Sequence, residues 1–310
     1  MQIRFDSEAS SNDKDQISES FNNGGTMGNV LEELLDLEKI EENIFRGDSE
    51  NVGVQSVFGG QVLGQALMAA WRTVEDDRNV HSLHAYFLRP GDMAVPIIYD
   101  VDRIRDGNSF NTRRVVAIQH GRAIFHLSAS FHKEEKGFDH QIEMPDVKGP
   151  ENLLSELDLR KQVVDKIPEN FRHTFFRKWP IDIRPVNPID PFNPEIRQPE
   201  DNVWFRATGK LSDDTIIHRA VLAFASDFGL LRTAMLPHGI TFVSKNIQIA
   251  SLDHAMWFHR KFRMDEWLLY SKDGPNASGA LGYARGNIFT RDGTLVASVA
   301  QEGLIREWPE

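Results

Sequence analysis

A chain of 310 residues with 35 Lys and Arg against 46 Asp and Glu carries a formal net charge of −11 and contains no cysteine. The acidic balance argues against non-specific nucleic-acid binding, which needs a basic surface. The lack of Cys excludes a disulfide framework, a thiolate metal site and a Cys nucleophile.

The amino terminus, MQIRFDSEASSNDKDQ, has no apolar core of a signal peptide. No apolar run approaches the roughly 18 residues of a membrane-spanning helix. The expected address is the cytoplasm, with neither membrane nor nucleic acid among the partners. Residues 1–26 are rich in Ser, Asn, Asp and Glu and read as a disordered tail, with Met27 as a candidate start. Leu31, Leu34, Leu35 and Ile40 follow at helical spacing and predict a short amphipathic helix. From Phe58 to Val74, FGGQVLGQALMAAWRTV predicts the main helix of the first half: Val62, Ala66, Ala69 and Ala70 line one face, and Gly59-Gly60 at its start permits close backbone approach. A strand block then opens at Ser82 (SLHAYFLRPGDMAVPIIYDV), turns at Asp106-Gly107-Asn108, and continues through NTRRVVAIQ and AIFHLSASF to about residue 133.

Residues 134–200 change texture. Nine of the 14 prolines lie between Pro145 and Pro199, so this stretch reads as a linker with one helix around Leu153–Val164. Strand signals resume at Val203–Ala207, a mainly helical segment follows from His218 to Leu236, and a second strand block opens at Ser251. That block, SLDHAMWFHRKFRMDEWLLY, is expected to break at Asp273-Gly274-Pro275-Asn276 and to end in GALGYARGNIFT and TLVASVAQEGLI. The two blocks start 169 residues apart (251 minus 82), a distance that suits a duplicated domain rather than a solenoid repeat. Each half then reads as one long helix covered by an antiparallel sheet.

No G-x-S-x-G elbow and no H-E-x-x-H occurs, and GGQVLG lacks a dinucleotide fingerprint. Three residues stand out. Asp227 lies in the apolar run LAFASDFGLLRTAM, where a carboxylate needs a partner; it is either a helix-start residue satisfying orphan amides or a working acid. Ser251 opens the second block as a structural serine or a positioned hydroxyl. Gln301 lies in an apolar strand where its amide must find partners, and the matching part of the first block, Ala129-Ser130-Phe131, has no amide. Two basic groups, His259-Arg260-Lys261 with Arg263 and Arg103, Arg105, Arg113 and Arg114, are either solvated strand edges or anion contacts.

FGGQVLGQAL, HSLHAYFLRPGD, PIIYDVDRIRDGNSFNTRRVVAIQ, SLDHAMWFHRKFRMDEWLLY and GTLVASVAQEG resemble the type II acyl-CoA thioesterases over about residues 28–307. The resemblance implies an α+β double hotdog fold with units at 27–133 and 201–310. It also implies an acyl-CoA substrate, no cofactor or metal, and self-association into a homo-oligomer. It maps the family's catalytic acid, hydroxyl and amide onto Asp227, Ser251 and Gln301, with Ser where the family commonly has Thr. Such a set suits hydrolysis of fatty acyl-CoA by a water that Asp227 activates and the other two orient. Two alternatives share the scaffold. An enoyl-CoA hydratase would need a His after an Asp-x-Asn-Pro turn, which Asp190-Pro191-Phe192-Asn193-Pro194 approximates with Arg197 in place of that His. The other is a non-catalytic acyl-CoA-binding protein.

Overall fold

The computed structural model describes residues 27–49, 56–167 and 178–309, with positions 169, 172, 175 and 176 between them. The amino-terminal tail expected over 1–26 lies outside the described residues.

Among the described residues one 13-stranded antiparallel sheet runs through the whole chain. Helix α1 (Met27–Leu35) buries Leu31, Leu34 and Leu35. The predicted helix ends there; Ile40 sits instead on β1 (Glu38–Glu41), which forms a hairpin with β2 (Ile44–Gly47). Helix α2 (Gly59–Trp71) is followed by β3 (Arg78–Phe87), β4 (Ile97–Asp106), β5 (Phe110–Gln119) and β6 (Arg122–Lys133). In the second half come β7 (Ile181–Pro185), β8 (Glu200–Ala207), α4 (Thr215–Ser226), a 3-10 segment (Leu231–His238), β9 (Ile247–Ser251), β10 (Asp253–Phe258), β11 (Leu268–Ser278), β12 (Leu281–Thr290) and β13 (Leu295–Glu307). The strands lie in the order β1-β2-β4-β5-β6-β3-β10-β13-β12-β11-β8-β7, with β9 against β13. The halves join where β3 pairs with β10 about the Ala85–His254 rung. Helices α2 and α4 pack on each other beneath the sheet, through small residues such as Gly60, Gly64, Ala220 and Ala223. This is the double hotdog architecture.

Two sequence expectations change. Asp273-Gly274-Pro275-Asn276 does not break the chain: it is a bulge inside β11, and the turn falls at Gly279-Ala280, both with positive φ. A Cβ on Gly274 would lie 2.7 Å from the Ala234 nitrogen, so the bulge lets the strand touch the 3-10 segment. The proline-rich stretch is more than a linker. It holds helix α3 (Glu156–Gln162), capped by the Ser155 hydroxyl, and it supplies β7 at the sheet edge with Pro185 at its end, where proline is tolerated. Its Met144, Val147 and Leu153 cover Trp204, Leu269 and Phe289 on the outer face of the second half. The helical run Thr215–His238 is long and apolar enough to cross a membrane by composition, but 72% of its 18-residue apolar window is buried inside the protein.

Candidate active site

Asp227 is the C-cap of α4, not a helix-start residue. A carboxylate there faces the negative end of its own helix dipole, so it needs donors from elsewhere. One is Gln301, 1% exposed on the inner face of β13, whose Nε2 donates to Asp227 Oδ1 at 2.8 Å. The other carboxylate oxygen lies against the start of α2: Oδ2 is 2.9 Å from the point a Cβ on Gly59 would occupy. Helix geometry leaves the Gly59 and Gly60 amides without intrahelical acceptors, while the Gln61 amide already donates to the Phe58 carbonyl, and the positive end of the α2 dipole favours the negative charge beside it.

Ser251 is the last residue of β9 and stands opposite Gly303 on β13, two residues from Gln301. Directly paired residues share a face, so Ser251 and Gln301 look the same way. The chain steps from β9 to β10 at Leu252. Its N–H donates to the Glu302 carbonyl and its own carbonyl accepts from Phe87 N–H, both at 2.9 Å, while Asp253 Oδ1 accepts from Glu302 N–H. The structure therefore brings Asp227 and Gln301 into direct contact and sets Ser251 on the same face, with no hydrogen bond from its hydroxyl to either.

Only the second half carries this set. Tyr99 pairs with Ala117, and Tyr270 with Ile288, an offset of 171 (270 minus 99, 288 minus 117). At that offset Arg113 corresponds to Ala284; Arg113 stands opposite Ala129, and Ala284 opposite Gln301. In the first half the donor to the helix end is Arg113, 1% exposed, whose Nε donates to Thr73 Oγ1 at 2.8 Å and whose Nη2 donates to the Thr73 carbonyl at 2.9 Å. Asp106 neutralises it. The same rung thus holds arginine against threonine in one half and amide against carboxylate in the other. Arg113 is consequently buried structure and no part of a surface anion site.

Five of the remaining basic candidates are also engaged: Arg103 with Glu42, Arg114 with Asp102, Arg260 with Asp139, Lys261 with Glu134, and Arg263 with Asp213 and Asp265. The approximate hydratase turn is closed on itself. Asp190 accepts from Phe192 N–H and binds Lys166, and Arg197 donates to the Asn187 and Pro188 carbonyls.

A cavity of about 840 Å³ lies beside the site, lined in part by Trp179, Ile183, Val203, Phe205, Ala225 and Phe228. Asp227, Ser251 and Gln301 do not line it. The Phe228 ring forms part of its wall and stacks at 4.5 Å on Phe58, the residue before Gly59.

Models of two families match the chain: acyl-CoA thioesterase over residues 170–304, and acyl-CoA thioesterase N-terminal domain over 46–132. Acyl-CoA thioesterase 2 of Haemophilus influenzae is 44% identical over 278 residues, spanning 90% of this chain and 97% of its own. The chain belongs to the acyl-CoA thioesterase family. Human acyl-coenzyme A thioesterase 8 is 40% identical over 89% of both chains. The crystal structure of an acyl-CoA thioesterase II, TesB2, from Mycobacterium marinum superposes with a TM-score of 0.73 at 41% identity, covering 90% of this chain and 98% of that one. Within this thioesterase, sequence reading overlooked His254 and Tyr270, which hold the end of α4. It noted Gly59 as a point of close approach without saying what approaches. The Gly-Gly pair was the available signal; nothing in the sequence tied it to Asp227.

Proposed function

We propose that the chain hydrolyses fatty acyl-CoA to a free fatty acid and CoA with Asp227 as general base. The observation that carries this reading is the Gln301–Asp227 hydrogen bond beside the amino terminus of α2. Gln301 occupies Oδ1 and leaves Oδ2 as the proton acceptor. The Ser251 hydroxyl and the Gln301 side-chain carbonyl orient the water. Attack on the thioester carbon develops negative charge on its oxygen, which the first-turn amides of α2 at Gly59 and Gly60 are suited to receive. Collapse of the tetrahedral intermediate breaks the C–S bond. CoA departs as a thiolate of ordinary pKa, about 8.5, so no strong general acid is needed. The proton taken by Asp227 returns to the thiolate or to solvent. In this reading the second unit, residues 201–310, supplies all three side chains and the first unit supplies the helix start. The cavity behind Phe228 takes the acyl chain.

Free-thiol release from purified protein with a series of acyl-CoAs tests the activity. Asp227→Asn should lower kcat by about 10²–10⁴-fold, the usual range for a general base. Ser251→Ala should cost on the order of 10-fold, about 1.4 kcal/mol, whereas Ser251→Thr should be tolerated. Because both act on one water, the double variant should lose less than the product of the single losses. An Asp227→Asn protein that folds and turns over at the wild-type rate would remove the mechanism.

A further inference from the structure

His254 is a fully buried imidazole that the hydrolytic mechanism leaves unused. It is 0% exposed on the inner face of β10. Its Nε2 lies 2.9 Å from Ser226 Oγ, and Ser226 Oγ lies 2.9 Å from the Ala223 carbonyl. A hydroxyl has one proton, and the carbonyl can only accept, so Ser226 donates to Ala223 and accepts from His254. That fixes the imidazole with its proton on Nε2. Nδ1 is buried with no hydrogen-bond partner among the described residues. Burial pushes the imidazole below its ordinary value, against the opposing pull of Asp227 and Asp253, which keeps the ring neutral.

Stability alone does not account for a histidine here. A buried acceptor without a partner costs about 1–3 kcal/mol. The first half has Leu83 at the corresponding place, 171 residues earlier (254 minus 83), opposite Ala129. The one contact that histidine makes and leucine could not is the bond to Ser226, the residue immediately before Asp227. The Ser226 carbonyl is held as well, by the buried Tyr270 hydroxyl at 3.0 Å. Two strands thus clamp the last helical residue while a third, through Gln301, holds the carboxylate itself.

We infer that His254 is a positioning residue for the catalytic acid, acting through Ser226 to keep the Asp227 carboxylate in register with Gln301 and the start of α2. The inference rests on Asp227 being the general base. The test compares steady-state kinetics and thermal melts of full-length variants on one acyl-CoA, with Asp227→Asn run in parallel. His254→Leu, copying Leu83, and Ser226→Ala should each lower kcat about 10- to 100-fold, the effect of a misplacement near 1 Å, with KM unchanged. His254→Gln, which offers an amide N–H near the Nε2 position, should recover most of the loss. His254→Leu combined with Ser226→Ala should be no worse than either alone, because both break one link. Should His254→Leu fail to fold, Ser226→Ala and His254→Gln still decide. With Asp227→Asn inactive, a wild-type kcat in Ser226→Ala or His254→Leu, or multiplying losses in the double variant, overturns the inference alone. With Asp227→Asn fully active, the general-base reading falls first.

Discussion

Asp227 sits where its own helix disfavours a negative charge and another helix favours it. Its placement is therefore a property of two helices, with α4 presenting the acid and α2 ending its approach at a residue that has no side chain. Gly59 lets Asp227 Oδ2 and the Phe87 ring come closer than any Cβ would allow, with contacts of 2.9 and 2.8 Å to the ideal Cβ position. Gly59→Ala should push the carboxylate away from the helix start and lower kcat about 10²-fold, more than it lowers the melting temperature in proportion. Kinetics and a thermal melt on the same sample check this. An alanine enzyme with unchanged kcat would show that the α2 terminus and the acid work apart.

At the level of elements, the segment between the two strand blocks builds on the second half from both sides. Residues 144–153 cover the outer face around Trp204, whose Nε1 donates to the Lys148 carbonyl at 2.7 Å. Helix α3 and β7 border the cavity on the inner side, where Trp179 meets Phe58 and Phe228 edge-on. Phe228, like Trp179, belongs both to the cavity wall and to the aromatic group next to Gly59. Trimming it should join cavity and site, so Phe228→Ala should raise kcat/KM for long-chain relative to short-chain acyl-CoA. Rates across a chain-length series read the outcome, and an unaltered profile would assign the cavity another role.

For the molecule as a whole, buried charge makes stability depend on pH. Asp201 on β8 is 5% exposed and faces Lys272 on the neighbouring strand and Arg232 in the 3-10 segment. Burial would raise its carboxyl, but the Arg232 and Lys272 charges and their hydrogen bonds overcome this and hold it well below the usual carboxylate range. A depressed carboxyl contributes stability that is present above its unfolded value, near 4, and lost as pH falls through the folded value. Two buried histidines add in the same direction. Burial lowers His218, aided by Arg263, and lowers His254. Their unfolded forms take up protons first, so stability declines as pH falls below about 6.5. The melting temperature should therefore drop in two stages on acidification, first below about pH 6.5 and again below about pH 4. Asp201→Asn, which strands the buried Lys272 ammonium and leaves Arg232 with Glu156 alone, should cost about 3–5 kcal/mol at neutral pH. A flat melting temperature from pH 7 to pH 5 would contradict the histidine contribution.

Periodicity and turn chemistry were enough to find most of the elements. The alternation in Phe110–Gln119 and Arg122–Lys133 and the small-residue face of Gly59–Trp71 are local signals, and the repeat between the strand blocks by itself implies a duplication. Local signals also misled where a distant contact outweighed them. Asp273-Gly274-Pro275-Asn276 has turn composition, yet it stays in a strand because β8 and β12 pair on either side and Gly274 meets the 3-10 backbone. Asp227, Ser251 and Gln301 could be named from the resemblance of their motifs, but composition left each open to a structural reading. What joins Asp227 to Gln301 is a hydrogen bond across 74 positions, and what sets Asp227 beside Gly59 is the packing of two helices far apart in sequence. His254 gave no separate signal, since a neutral buried histidine and a solvated one read alike until the strand that carries it is paired. Residue types and their spacing determined which chemistry the chain could carry. Only the sheet, by closing two copies around two helices, decided which groups meet, because that depends on long-range pairing and burial that no local stretch encodes.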